Sequence, residues 1–128
     1  MLRSYLEKNS GIIVFVYSCI LILLFIMPTS NLPKVDKDLP VDKIVHLFLF
    51  AVYFGTWYQF FRFNERRISK SIVCSIGFAL LTEALQFFVP YRSADGFDIL
   101  ADTIGILIGL LICFILSNFK RKSKIPTK

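Results

Sequence analysis

The chain has 128 residues, of which 55% are hydrophobic and 16% aromatic, and its formal net charge is +6. A soluble domain of this size could not bury so much apolar surface, so the composition excludes an ordinary soluble domain and indicates a membrane protein. The basic residues lie beside apolar runs and no nucleic-acid-binding motif accompanies them, which excludes a nucleic-acid partner.

Four apolar runs follow one another along the chain, at about residues 11–27, 44–61, 72–90 and 99–118. At about 1.5 Å of rise per residue, each run covers roughly 26 to 30 Å as a helix, which matches the hydrocarbon core of a bilayer. The connections between the runs are too short and polar to form a second core. We therefore predict an all-α fold, a four-helix transmembrane bundle forming a single domain over residues 1–128, with a basic tail at 119–128.

The distribution of basic residues predicts the orientation of the bundle. Eleven of the 15 lysines and arginines lie in the N-terminal arm, the loop between the second and third runs, and the tail. Short loops rich in Lys and Arg remain in the cytoplasm, so both termini are predicted to be cytoplasmic. The predicted location is the cell membrane, as a multi-pass protein.

Three ionisable residues, His46, Glu83 and Asp102, lie within or at the edge of apolar runs. Such side chains are costly inside a membrane and commonly mark functional sites. Residues three or four apart share a helix face, which pairs Asp42 with His46 and Glu83 with Gln86. In the predicted topology these residues all lie in the extracytoplasmic half, where we expect a shared polar pocket.

The fourth run carries its own polar stripe, in which Asp98 is followed by Asp102, Gly105 and Gly109 at spacings that keep all four on one helix face. The two glycines form a small-x-x-x-small pair, which lets a neighbouring helix approach closely. We expect this helix packing to bring the acidic groups towards the second and third helices.

These residues suggest roles in a reaction or in ligand binding. His46, the only histidine, and Glu83 are the candidates for proton transfer, if a reaction occurs. Arginine binds anionic groups in a bidentate manner, so a lipid headgroup is a candidate ligand. The predicted substrate-binding residues are Lys43, Gln86, Arg92, Asp95, Asp98 and Asp102. Whether the protein is an enzyme is left open.

Two other interpretations use the same side chains. Asp95, Asp98 and Asp102 offer the hard oxygen ligands that a divalent cation takes, although no fixed metal-binding motif is present. No cofactor is therefore predicted, and a divalent cation is the alternative. Alternatively, the polar groups serve only as interhelical hydrogen bonds that fix the register of the helices.

Four short segments resemble the VanZ-like family, and their order and spacing match across roughly residues 28–118. They are Asp42-Lys43-Ile44-Val45-His46, Glu83-Ala84-Leu85-Gln86-Phe87, Arg92-Ser93-Ala94-Asp95 and Asp98-Ile99-Leu100-Ala101-Asp102-Thr103-Ile104-Gly105. At Asp102 the family commonly has Asn. The family is named after a protein linked to teicoplanin resistance, so the resemblance implies a function in the cell envelope.

We therefore predict a VanZ-like integral membrane protein of the bacterial cell envelope, whose pocket binds or processes a lipid or glycolipid headgroup. A link between this protein and glycopeptide (teicoplanin) resistance is a further prediction. The predicted partners are membrane lipids, a lipid-linked cell-wall precursor or a glycopeptide, and a homo-oligomer is left open. The alternative from another class is a non-catalytic membrane protein for binding or assembly. A third is a small proton-linked transporter.

Overall fold

The computed structural model describes residues 8–27, 41–89 and 96–122. These residues form four α-helices and no strand: α1 is Ser10–Ile26, α2 is Val41–Phe60, α3 is Arg67–Phe87 and α4 is Gly96–Lys122. The all-α prediction is confirmed, and each helix lies on one of the four apolar runs. α3 begins five residues before its apolar run because helix formation depends on backbone hydrogen bonds, which polar residues also make.

α1 packs antiparallel to α2. The Tyr17 hydroxyl donates to the carbonyl oxygen of Leu49 at 3.2 Å, and the ring of Phe25 stacks on the imidazole of His46 with 4.5 Å between centroids. Residues later in α1 therefore contact residues earlier in α2. This arrangement brings the C-terminal end of α1 next to the N-terminal end of α2.

α3 also runs antiparallel to α2, after a turn at residues 61–66. The guanidinium group of Arg67 lies 4.4 Å from the ring centroid of Tyr58, and the rings of Tyr53 and Phe78 lie 4.6 Å apart. The buried face of α3 consists of short or uncharged side chains, namely Ser71, Ser75, Ala79, Thr82 and Gln86. Short side chains on this face let α3 lie close to the aromatic side chains of α2.

α2 and α4 run parallel and form the most extensive contact between helices among the described residues. Gly105 faces Leu47, and a Cβ atom at Gly105 would overlap the backbone carbonyl of that residue. At Gly109 a Cβ atom would lie 2.5 Å from the carbonyl oxygen of Ala51. Both glycines are therefore needed for this backbone-to-backbone approach.

The core between the helices is largely aromatic. Its buried members are Leu21, Phe25, Phe50, Tyr53, Phe54, Ala79 and Ile106. The Ser18 hydroxyl donates to the carbonyl oxygen of Val14 at 2.8 Å, so the Tyr53 hydroxyl, 2.9 Å away, donates to Ser18. Beyond this core, the N-terminal ends of α2 and α4 meet the C-terminal ends of α1 and α3 at one end of the bundle, which we call the polar end.

Two helices, Arg67–Phe87 and Gly96–Phe119, are long and apolar enough to cross a membrane, by length and composition. Ser10–Ile26 is a shorter apolar helix. Large apolar side chains also cover outward faces of the bundle, among them Phe15 at 70% exposure, Val73 at 69% and Leu107 at 56%. An exposed apolar surface of this extent is typical of a protein that contacts lipid or another apolar partner.

Candidate functional site

Two polar pairs join α2 to α4 at the polar end. The Lys43 ammonium lies 3.1 Å from Oδ1 of Asp98, and Nδ1 of His46 lies 2.9 Å from Oδ1 of Asp102. The two partners on α2 are three residues apart and those on α4 are four apart, so both pairs form along one line of contact between parallel helices. The polar residues that lie one turn apart in the sequence of α4, Asp98 and Asp102, thus each bind a polar residue of α2.

The two pairs differ in burial. His46 and Asp102 are each 1% exposed, and the Phe25 ring covers one face of the imidazole. The outer pair is more accessible, since the Lys43 side chain is 37% exposed although that of Asp98 is only 6% exposed. Asp98 also lies in the first turn of α4, where the positive end of the helix dipole stabilises a carboxylate. A ligand that approaches from this end would therefore meet Lys43 before His46.

The contact with Asp102 determines how His46 presents its second nitrogen. An ionised carboxylate only accepts hydrogen bonds, so Nδ1 of His46 donates to Asp102, and in the neutral imidazole Nε2 keeps a lone pair. Nε2 is buried and has no hydrogen-bond partner within the described part of the chain. Buried polar atoms nearly always have a partner, which marks Nε2 as a candidate contact for a ligand, an ion or a water molecule.

On α3, Gln86 is fully buried, and neither atom of its amide has a partner within the described ranges. The contact between Tyr53 and Phe78 can be used to compare the positions of Gln86 and His46 along the bundle. His46 lies seven residues before Tyr53, and Gln86 lies eight residues after Phe78. Since the helices are antiparallel, both lie about 11 Å from that contact, in the same direction. Glu83, one turn before Gln86, is half-buried.

The structure brings together most of the predicted site residues that it describes. Arg92 and Asp95 lie outside the described residues. Among the described residues, one ring nitrogen of His46 and one carboxylate oxygen each from Asp42 and Asp98 lie within 4.8 Å of one another. The predicted metal ligands were Asp95, Asp98 and Asp102, so only Asp98 is common to both sets.

Two features were missed from the sequence, one at the polar end and one along the buried face of α3. Asp42 was assigned no role, although its spacing of four from His46 already placed both residues on one face of α2. The inward hydroxyl groups of Ser75 and Thr82 on α3 gave no signal of their own, because serine and threonine are common in apolar helices of membrane proteins.

Two grooves lie along α2 and α4, and one of them is at the polar end. A groove of about 210 Å³ lies beside Lys43 and is otherwise lined by apolar side chains, Ile44, Leu47, Phe97, Leu100, Ala101 and Ile104. A second groove of about 480 Å³ continues along α2 as far as Gln59 and has no charged residue in its lining. Leu47 lines both grooves, so they adjoin at this residue; we call the two grooves together the track, which has Lys43 at one end.

A family model described as VanZ/LLP1 matches residues 2–117 of the chain. The chain belongs to the VanZ/LLP1 family. Among curated proteins, it is 35% identical over 86 residues to the uncharacterized protein C11E3.10 of Schizosaccharomyces pombe, which covers 66% of the chain and 52% of that relative. The chain thus spans about half the length of the curated relative that it matches. No solved structure matches the chain.

Family membership confirms the resemblance seen in the four sequence segments. Together with two helices suited to crossing a bilayer, it indicates a membrane protein. The name of the yeast relative assigns it no activity.

Proposed function

We propose that this VanZ/LLP1 protein is a multi-pass protein of the cell membrane whose polar end binds the phosphate-bearing headgroup of a membrane lipid or glycolipid. The observation that carries the proposal is the position of Lys43, which contacts Asp98 in the site and also lines the apolar groove beside it. A cationic group at the end of an apolar track fits an amphipathic ligand with a negative headgroup.

The dimensions of the track support a lipid as the occupant. From Lys43 to Gln59 is sixteen residues, or about 24 Å along α2, which is the length of a long acyl chain. Beyond Lys43 the lining is mostly apolar, with Ser10, Thr56 and Gln59 as its uncharged polar members, so it stabilises a hydrocarbon chain better than a second charged group. Lys43 is half-exposed, so its ammonium can contact a phosphate without complete desolvation.

The buried polar groups at the same level support a hydroxyl-rich or phosphate-bearing headgroup. Gln86 offers both a donor and an acceptor that lack partners among the described residues. Burying an amide without hydrogen bonds costs about 1 to 3 kcal/mol, so such a group is more stable when a ligand or water reaches it. A sugar or glycerol headgroup supplies hydroxyls that donate and accept.

The proposed topology has four spans, both termini in the cytoplasm, and the polar end facing away from it. The basic residues in the turn after α2 and in the first turn of α3 support this orientation, and they lie near the opposite end of the bundle: Arg62, Arg66, Arg67 and Lys70. The ligand would therefore come from the outer leaflet, where a lipid-linked cell-wall precursor is one candidate.

Lipid binding can be measured on the purified protein by native mass spectrometry, with phosphatidylglycerol, a polyprenyl phosphate and phosphatidylcholine supplied in equal amounts. We expect the protein to prefer the two anionic lipids. Lys43→Gln should reduce their binding several-fold, whereas Lys70→Gln, which removes an exposed ammonium at the opposite end, should not change it. Equal binding of all three lipids, or no effect of Lys43→Gln, would contradict the proposal.

A variant in the groove distinguishes binding of the lipid's acyl chain from binding of its headgroup. Ile104 lines the groove beside Lys43 and is 41% exposed, so Ile104→Trp should fill the groove without disturbing the core. We expect it to weaken binding of every lipid, including phosphatidylcholine. Val73→Trp makes a similar change on an outward face of α3 away from the track and serves as the matched control.

Two finer roles remain predictions, namely proton transfer by His46 and Glu83, and glycopeptide resistance. His46→Ala and Glu83→Gln variants, matched for membrane levels, test the first through a lipid-linked activity. Growth in teicoplanin with and without the protein tests the second. If both variants behave like the unchanged protein, the site binds its ligand without chemistry, as in the non-catalytic alternative.

A further inference from the structure

The side chains at the polar end also form a set of metal-ligating atoms. Within the described part of the chain, Asp42, His46 and Asp98 each place one ligand atom within 4.8 Å of the others. Asp42 and His46 come from successive turns of α2, and Asp98 comes from the first turn of α4. Ligands from two helices that are locked together by glycine contacts are held at a defined separation.

A second, independent observation concerns the imidazole. His46 is 1% exposed and Nε2 has no hydrogen-bond partner among the described residues, whereas Nδ1 is bonded to Asp102. The two nitrogens lie on different sides of the ring, so Nε2 faces away from Asp102. Histidines that bind metals through one nitrogen usually donate the other N–H to a carboxylate or a carbonyl group. His46 and Asp102 have this arrangement.

We propose that Asp42, Nε2 of His46 and Asp98 bind a divalent transition-metal cation, with Asp102 as the outer carboxylate that orients His46. A mixed set of one imidazole and two carboxylates suits Zn²⁺ or Mn²⁺ better than Mg²⁺ or Ca²⁺, which prefer oxygen ligands alone. Three protein ligands leave coordination positions to which water or a phosphate oxygen can bind.

The charges at this end are compatible with a cation. Among the residues that the structure describes at this end, Asp42, Asp98 and Asp102 supply three carboxylates and Lys43 supplies one ammonium. Lys43 contacts Oδ1 of Asp98, which leaves Oδ2 of that carboxylate as a ligand atom. Because Lys43 is half-exposed and flexible, it can move away from a bound cation more readily than the buried carboxylates can.

This inference goes beyond lipid binding, since the cation would bind in the absence of any lipid. It also assigns a different role to His46. When Nε2 binds a cation it cannot accept a proton, so the metal site and proton transfer by His46 are mutually exclusive uses of the same atom.

The test is metal binding by the purified full chain in detergent, after treatment with a chelator and removal of the chelator. Zn²⁺ and Mn²⁺ are titrated separately by calorimetry, and metal content is measured after dialysis. We expect about one ion per chain and at least a tenfold loss of affinity in His46→Ala and in Asp98→Asn. Asp102→Asn should cause a loss of about tenfold, which is the effect of removing an outer-shell carboxylate.

Asp42→Asn keeps the proposal testable if the buried variants fail to fold, because Asp42 is exposed and its replacement should not affect folding. It should also reduce affinity at least tenfold. Glu65→Gln removes an exposed carboxylate at the opposite end and should leave binding unchanged. If the unchanged protein binds neither metal, or if Asp42→Asn binds as tightly as the unchanged protein, the metal site is refuted. The lipid assay needs no metal, so its outcome is independent.

Discussion

Nδ1 of His46 lies 2.9 Å from Oδ1 of Asp102, in a contact between α2 and α4 that is closed to solvent on both sides. The pair ties together two helices that are distant in the sequence. It also leaves Nε2, the second ring nitrogen, without a hydrogen-bond partner among the described residues, and the proposed metal site depends on this atom.

We expect Asp102→Ala to destabilise the protein by about 2 kcal/mol, because it leaves the N–H of a buried imidazole without an acceptor. Asp102→Asn keeps a carbonyl oxygen at that position, so its cost should be about 1 kcal/mol or less. Unfolding in mixed micelles by a denaturing detergent measures both. Thr103→Ala removes only a hydrogen bond to the backbone of its own helix and is the control. Equal losses for Ala and Asn at position 102 would show that the hydrogen bond does not contribute.

Gly105→Ala should destabilise the pairing of α2 and α4, because the added methyl group overlaps the carbonyl of Leu47. Overpacking of this kind costs about 1 to 3 kcal/mol. Gly77→Ala is the matched control, since a Cβ at Gly77 meets nothing within 4 Å and alanine favours a helix by about 1 kcal/mol over glycine. Thermal unfolding should therefore shift down for Gly105→Ala and stay constant or shift up for Gly77→Ala. Shifts in the same direction would contradict the close approach of the helices.

The hydrogen bond from Tyr53 to Ser18 should contribute about 1 kcal/mol to stability, since it joins α1 to α2 in a half-buried position. Tyr53→Phe and Ser18→Ala should each lower the free energy of unfolding. The double variant should lose less than the sum of the two, because both changes remove the same bond. Tyr58→Phe removes a hydroxyl from a half-buried ring and should have a smaller effect. Additive losses would mean that the two side chains are not coupled.

The orientation of the bundle can be tested by labelling single cysteines in a background where Cys19, Cys74 and Cys113 are replaced by alanine. Phe97→Cys lies at the polar end and Glu65→Cys at the opposite end, and both positions are exposed. A membrane-impermeant maleimide should label position 97 in intact cells and position 65 only after permeabilisation, as the positive-inside distribution predicts. The reverse pattern would invert the topology.

The sequence allowed the helices to be predicted more reliably than the contacts between them. Apolar runs of bilayer length identified all four helices, because hydropathy persists over many residues, but the polar starts of α2, α3 and α4 lay outside those runs. The stripe from Asp98 to Gly109 was visible from spacing alone.

The sequence did not indicate which polar residue of α2 bonds which polar residue of α4. That His46 would bond Asp102 while Lys43 bonds Asp98 depends on the parallel register of α2 and α4, and register depends on how glycines and larger side chains fit together across the interface. Likewise, nothing in the local sequence indicated that Phe25 of α1 would cover the imidazole. Such contacts between distant segments are set by packing.

The glycine contacts of α2 and α4 have a mechanical consequence. Because the two backbones touch at Leu47 and Ala51, these helices cannot slide or rotate against each other without steric overlap, and they should behave as one stiff unit. Any opening that admits a bulky molecule to Nε2 of His46 must then come from α1, through the Phe25 ring, or from α3. Motion that exposes Nε2 should accordingly be concentrated in those two helices.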